Sequence, residues 1–185
     1  GLYDWELLEL SANDIIIDAG AYTGDTIIEM RDYIGQLPRQ IYAFEPDENN
    51  CERLRKNFSC KDLESIEIIT KGLYYKTDTC YFASSGTLGS KIVENSDCSI
   101  EVIAIDDSIQ YKNTSVIKMD IEGSELNALR GAKNLIEKNH PRLAICIYHN
   151  NKDIIEIYSY LKVYGYSFYL RQHSNSVEET VLYAI

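Results

Sequence analysis

The sequence predicts an α/β fold in which a doubly wound, mostly parallel sheet carries helices on both faces. Three observations predict it. Short runs of branched apolar residues alternate with segments of helical periodicity along the whole chain of 185 residues. The first run ends in a glycine-containing turn that opens at once into a helical pattern, DIIIDAGAYTGDTIIEMRDYI at residues 14–34. The last two extended runs have no helical segment between them, so they are expected to pair antiparallel.

Each element has its own signal. Residues 14–19 read as a strand buried on both faces, because a branched run is bounded by polar neighbours. The spacing of Ile27, Met30 and Ile34 predicts a helix over 25–34, stopped by Gly35 and Pro38. Residues 40–44 form the second strand, and Asp47 is placed to cap a helix with Cys51, Leu54 and Phe58 on one face. Residues 66–70 form the third strand. The Tyr-rich, β-branched stretch 73–105 suggests extended pairs interrupted by a mobile loop at 84–90, with Gly86 and Gly89 as hinges. A strand at 116–119 precedes one amphipathic helix marked by Leu126, Leu129, Ala132 and Leu135. A strand at 143–147 precedes a helix marked by Ile154, Ile155, Tyr158 and Leu161 and closed by Gly165. Strands at 167–171 and 180–185 end the chain. Its length suits one domain over 1–185, with residues 1–13 as a helical lead-in.

The formal net charge of −11 argues against a grip on phosphate backbones or anionic leaflets. The five cysteines, at 51, 60, 80, 98 and 146, form no C-x-x-C pair and read as reduced thiols of a cytoplasmic protein. Neither a signal peptide nor an apolar run of the roughly 20 residues needed for a membrane span is visible.

The glycine turn constrains its ligand. A dinucleotide turn, G-x-G-x-x-G, needs glycine where this chain has Tyr22 and Asp25, and Asp18 adds a carboxylate just before the turn. A pyrophosphate would meet bulk and negative charge there. S-adenosylmethionine, with a cationic head and no phosphate, suits the turn better: Asp18 for its ammonium, and N–H groups near Asp25 and Thr26 for its carboxylate. Glu45 closes the second strand about 20 residues beyond the turn, where an acid grips both ribose hydroxyls.

Asp18 to Gly24 with Glu45 and Pro46 resembles the class I methyltransferases. The blocks IKMDIEGSELNALRGA at 117–132 and PRLAICIYHNNKD at 141–153, with the tail YSFYLRQHSNSVEETVLYAI at 166–185, are similar to the FkbM-type methyltransferase family and its I-K-x-D-x-E-G-x-E segment. The resemblance spans roughly 14–185. It implies a Rossmann-like, seven-stranded fold and S-adenosylmethionine-dependent O-methylation of a hydroxyl on a sugar, glycolipid or related small molecule. It makes Asp18, Gly20, Ala21 and Gly24 the cofactor turn, Glu45 the ribose acid, and Lys71 and Gly72 neighbours of the adenine. Tyr22 and Thr23 depart from the family pattern, and Tyr22 is expected only to trim the pocket wall. Family members usually carry more chain before the first strand, so the lead-in is read as shortened.

Methyl transfer from a sulfonium needs alignment and a destination for the acceptor proton. Asp120 and Glu122 follow the fourth strand of this sheet and His149 the fifth, all at the cleft end. His149 is the expected base, because its free pKa lies near neutrality; Asp120 lines the methyl site or orients the acceptor, and Glu122 orients His149 or binds a sugar hydroxyl. Acids in a first helical turn also complement the helix dipole, which is the plainer role for Glu125 and an even alternative for Glu122. A second mechanism gathers Asp120, Glu122, His149 and Asn150 around a divalent ion such as Mg or Mn. Tyr148 is a candidate acceptor contact, whereas His140 and His173 read as surface residues. Two other classes compete. A non-catalytic cofactor-binding module of a larger assembly is disfavoured by the intact Asp18, Glu45, Asp120 and His149, and a nicotinamide-dependent oxidoreductase is disfavoured by Tyr22.

Overall fold

The structure is a computed structural model that describes residues 3–82, 98–108, 111–173 and 179–185. In chain order the elements are β1 (Ile15–Ala19), α1 (Asp25–Ile34), β2 (Gln40–Phe44), α2 (Glu48–Asn57), β3 (Ile66–Ile69), β4 (Gly72–Leu73), β5 (Asp78–Phe82), β6 (Cys98–Ile103), β7 (Val116–Met119), α3 (Glu125–Arg130), α4 (Lys133–Asn139), β8 (Arg142–Cys146), α5 (Asp153–Leu161), β9 (Phe168–Gln172) and β10 (Thr180–Ala184). Seven strands form one sheet in the order β3-β2-β1-β7-β8-β10-β9. The pairs among β3, β2, β1, β7 and β8 are parallel, and β10 runs antiparallel to both its neighbours. The expected sheet is therefore present.

Strand alternation divides the core between two faces. Ile17, Ala19, Ile117 and Met119 pack with Leu129, Ile136 and Leu161 from α3, α4 and α5. Ile16, Ile41 and Val116 pack on the other face with Ile27 and Met30 of α1 and Leu54 of α2. Each of these large side chains is essentially excluded from solvent, which contributes roughly 1.5–3 kcal/mol apiece. Asp47 caps α2 as the sequence suggests, accepting from the N–H groups of Asn49 and Asn50. Gly35 ends α1 at φ 84°.

The stretch expected to form extended pairs gives a second sheet in the order β4-β6-β5, with β4 parallel and β5 antiparallel to β6. The proposed hinge loop at 84–90 lies outside the described residues.

Two local expectations are corrected. Residues 3–10 are a packed turn, not a helix. Tyr3, Trp5, Leu8 and Leu10 are buried against the second face, and only scattered contacts such as Leu8 N to Asp4 O (3.2 Å) join its backbone. The single helix expected over 126–135 breaks at Gly131. A Cβ there would lie 2.1 Å from the Tyr74 carbonyl oxygen, so the chain passes too close to that carbonyl for any side chain. The second half is capped from a distance by Asp106, whose carboxylate accepts from Asn134 N (2.7 Å) and Leu135 N (3.0 Å). No helix among the described residues is long and apolar enough to cross a membrane.

Candidate active site

The glycine turn is built by close approach. Gly20 N and Ala21 N both donate to Phe44 O at 3.0 Å, which draws the end of β1 against the end of β2. Gly20 has φ 77°, and a Cβ on it would stand 1.9 Å from the Asp120 carbonyl oxygen at the end of β7. Tyr22 also takes a left-handed conformation (φ 47°), uncommon for a bulky residue, and its N–H donates to Glu45 Oε2 at 3.0 Å. Glu45 Oε1 accepts from Asp47 N (3.0 Å) and Asn50 Nδ2 (3.3 Å). The ribose acid of the sequence reading is thus a buried carboxylate fixed by two turns.

These groups border a cavity of about 430 Å³, within the range of small-molecule sites. The turn supplies Gly20, Tyr22, Asp25 and Thr26, and the end of β2 supplies Phe44, Glu45 and Pro46. Lys71 to Tyr74, Ile100 and Val102 form an opposite, largely apolar wall. Lys118, Asp120, Ile121, Glu122 and Ser124 close the third side, with Tyr3 beside them. Ala21 and Gly24 shape the turn without bordering the space. Ala21 is buried, and Gly24 starts α1 at φ 86°, where a Cβ would meet the Phe58 ring at 2.6 Å.

Asp18 is a correction. Sequence reasoning placed it against the ligand's ammonium, but its side chain is fully buried and does not border the cavity. The β1–β7 register sets Asp18 opposite Lys118, and Lys118 Nζ lies 2.9 Å from Asp18 Oδ1. The same ammonium donates to Gly20 O at 2.8 Å. Burial opposes its charge, but Asp18 and Asp120 outweigh burial and raise the Lys118 pKa. The protein's own lysine occupies the role assigned to the ligand.

The ends of β7 and β8 bring His149 among acids. Its Nε2 lies 3.3 Å from Asp120 Oδ1 and 3.6 Å from Glu122 Oε2, and its Nδ1 lies 3.0 Å from Glu125 Oε1. Burial pushes the imidazole pKa down, but contact with Glu125 and the charges of Glu125, Asp120 and Glu122 outweigh it and raise it. Tyr148 donates to Asp120 Oδ1 at 3.0 Å, so its hydroxyl serves the protein rather than pointing freely at an acceptor. Glu122 holds φ 56° and Gly123 φ 94°, a strained corner that turns Glu122 toward the cavity.

Asp120 and Glu122 border the cavity and His149 does not; the ring stands behind them. His149, the expected base, therefore stands one layer back from the cavity, with its Nε2 against Asp120 Oδ1 and its Nδ1 against Glu125 Oε1. Asn150 turns its amide nitrogen to Gly123 O and Asp153 Oδ2, both at 3.3 Å. His140 is exposed and stacks on Tyr166, and His173 Nε2 lies 3.0 Å from Tyr183 Oη, away from the cavity lining.

Two residues escaped sequence reasoning. Lys118 is a charged residue inside the buried run Val116–Met119, and that anomaly alone signals a partner. Glu125 was assigned to the helix dipole, yet it is fully buried, accepts from Ile121 N at 2.9 Å and touches His149. Nothing local in the sequence separates it from an ordinary first-turn acid.

A nucleoside-sized cleft at the carboxyl ends of a 3-2-1-7-8-10-9 sheet defines an α/β domain of the methyltransferase class. The chain belongs to the family of the methyltransferase FkbM domain, whose model matches residues 18–168. It is similar to the solved methyltransferase FkbM from Methylobacillus flagellatus KT, with 27% identity and a TM-score of 0.81 over 97% of this chain. It spans 45% of the length of that relative. Aeropyrum pernix fibrillarin, solved with natively bound S-adenosyl-L-methionine, shares the fold at 14% identity and a TM-score of 0.61, covering 95% of this chain and 68% of that one. An rRNA methylase from Streptococcus thermophilus shares it at 18% identity and a TM-score of 0.57, covering 96% and 89%. No match is found among curated proteins.

Proposed function

We propose that this domain binds S-adenosylmethionine and methylates a hydroxyl of a sugar, glycolipid or related small molecule. The observation that carries the reading is Glu45, a carboxylate fixed by Tyr22 N and Asp47 N at the wall of the cavity that the Gly20 turn opens. Two acceptor oxygens in that place match the paired hydroxyls of a ribose.

The residues present fit the cofactor. Glu45 would hold the ribose, the turn from Gly20 to Thr26 the amino-acid end, and the apolar wall of Leu73, Ile100 and Val102, with Lys71 and Gly72, the adenine. Bound there, S-adenosylmethionine supplies an activated methyl group. Asp120 and Glu122 put negative charge where the ligand is cationic and where the acceptor must lose its proton. Asp120 orients the acceptor hydroxyl and takes its proton. Tyr148 and His149 hold the Asp120 carboxylate in place for that transfer. Lys118 works on the opposite side: by neutralising Asp18 and binding the Gly20 carbonyl it fixes the turn against β7.

A net charge of −11 supports an acceptor other than nucleic acid. The free thiols of Cys51, Cys60, Cys80 and Cys146 support a reducing, cytoplasmic setting.

Calorimetry with S-adenosylhomocysteine tests the binding half, and labelled methyl transfer across a panel of sugars and glycolipids tests the chemistry. Saturable binding with label in a hydroxyl-bearing acceptor is expected. No saturation at millimolar nucleoside overturns the reading; binding without transfer to any acceptor leaves a non-catalytic module.

A further inference from the structure

Around His149 the charges do not balance. Asp120, Glu122 and Glu125 approach its ring, and Asp153, also buried, accepts from Asn150 N at 2.9 Å one residue beyond it. Lys118 feels the Asp120 charge but is committed to Asp18. A partly buried carboxylate cluster with one imidazole to answer it is costly unless another cation is present.

The polar atoms are also unfinished. Glu125 Oε2 is buried without a hydrogen bond, and the ring nitrogens of His149, whose side chain is only 8% exposed, meet carboxylate oxygens, Nδ1 at 3.0 Å from Glu125 Oε1 and Nε2 at 3.3 Å from Asp120 Oδ1. Orphaned polar atoms at such depth are rare in folded proteins and call for a partner. Asp120, Glu125 and His149 each offer one ligand atom, and these atoms lie within 4.8 Å of one another.

We propose that Asp120, Glu125 and His149 form a divalent-cation site beside the cavity, with half-exposed Glu122 on its solvent side. Two carboxylates cancel the ion's charge, and the mixture of carboxylate and imidazole suits a first-row ion such as Mn²⁺. The cofactor's own positive charge does not replace it, because Glu125 and His149 do not border the cavity. Three elements supply the ligands: Asp120 from the end of β7, Glu125 from the start of α3, and His149 from the segment after β8. Asp120 alone faces the cavity, so an ion there meets an acceptor oxygen on the open side and lowers the hydroxyl pKa. That last role rests on the methyltransferase reading; the binding of the ion does not.

The full chain, stripped with EDTA, is titrated with Mn²⁺ and followed by calorimetry and electron paramagnetic resonance. One Mn²⁺ per chain is expected, weakened about tenfold or more in Glu125→Gln and in His149→Gln. Asp120 is partly exposed, so Asp120→Asn provides the same loss with less risk to folding. No Mn²⁺ bound at millimolar concentration overturns the site, and so does Mn²⁺ binding that all three substitutions leave unchanged. Titrating S-adenosylhomocysteine into the same samples keeps the two readings apart. Nucleoside binding without Mn²⁺ binding removes the ion site alone, and Mn²⁺ binding without nucleoside binding removes the methyltransferase reading alone.

Discussion

Asp14 and Asp120 anchor two charge clusters at opposite ends of the same central strands, and the two are built on different terms. Asp14 is saturated. Its carboxylate accepts from Ser11 N (2.7 Å), Ser11 Oγ (3.0 Å), Ser115 Oγ (2.8 Å) and the Arg142 guanidinium. Arg142 also donates to the carbonyls of Leu8 and Glu9, which ties the lead-in turn to β8. The cluster at Asp120 has a surplus of acceptors, three carboxylates around one imidazole, and an unpartnered Glu125 Oε2. A saturated network holds the chain to itself, whereas an unsaturated one is poised to hold something else. Stability and function are thus separated along one sheet, at its amino and carboxyl ends.

Lys118 is the exception that tests this separation most severely, because it is a closed pair at the functional end. Lys118→Met leaves Asp18 buried with no countercharge, and about 3–5 kcal/mol of stability should be lost in guanidinium unfolding. The double variant Asp18→Asn with Lys118→Met should recover most of that loss, because the cost lies in the stranded charge. A double variant no more stable than the single one would mean that the Lys118 bond to Gly20 O matters more than the ion pair.

Asp120→Asn should act in the opposite sense. The asparagine can still accept from Tyr148, so unfolding should move little, while kcat falls about 10²–10⁴-fold in the labelled methyl-transfer assay. A variant with near-normal kcat would return the base to another group.

The sheet was legible because its signals are local: branched runs, glycine turns and an Asp cap. The register that sets Asp18 against Lys118 was not, since it joins residues a hundred positions apart on strands whose pairing no local pattern fixes. The break at Gly131 was hidden for the same reason. It depends on Tyr74 O and on the Asp106 cap, both contributed from elsewhere in the chain. At the site, Gly20, Glu45 and Asp120 were legible as residue types at strand ends. His149 was legible as a member of the site, but its position behind Asp120 and its contact with Glu125 were not, because they are tertiary facts.

Arg142→Ala opens the saturated cluster. Its side chain retains some exposure, so about 2 kcal/mol of stability should be lost in the same unfolding measurement. Nucleoside affinity should be unchanged, because the guanidinium serves the lead-in and β1 at the end remote from the cavity. A matching loss of affinity would mean that the two ends of the sheet are coupled, and the separation would fail.

Glu45→Gln is the finest test, since Glu45 belongs to both descriptions: it accepts three internal hydrogen bonds and still borders the cavity. Glutamine keeps the shape but turns one acceptor into an NH₂ donor. Whichever way the amide is oriented, that group must face the N–H of Tyr22 or of Asp47. One internal bond is lost, worth about 1 kcal/mol of stability. The ribose hydroxyls also lose one charged acceptor, so affinity for S-adenosylhomocysteine should fall about tenfold, or about 1.4 kcal/mol. If stability falls while affinity holds, Glu45 is a turn brace like Asp14. If affinity falls by the larger factor, one carboxylate does both tasks: its fixed orientation, set by Tyr22 N and Asp47 N, aims it at the ribose.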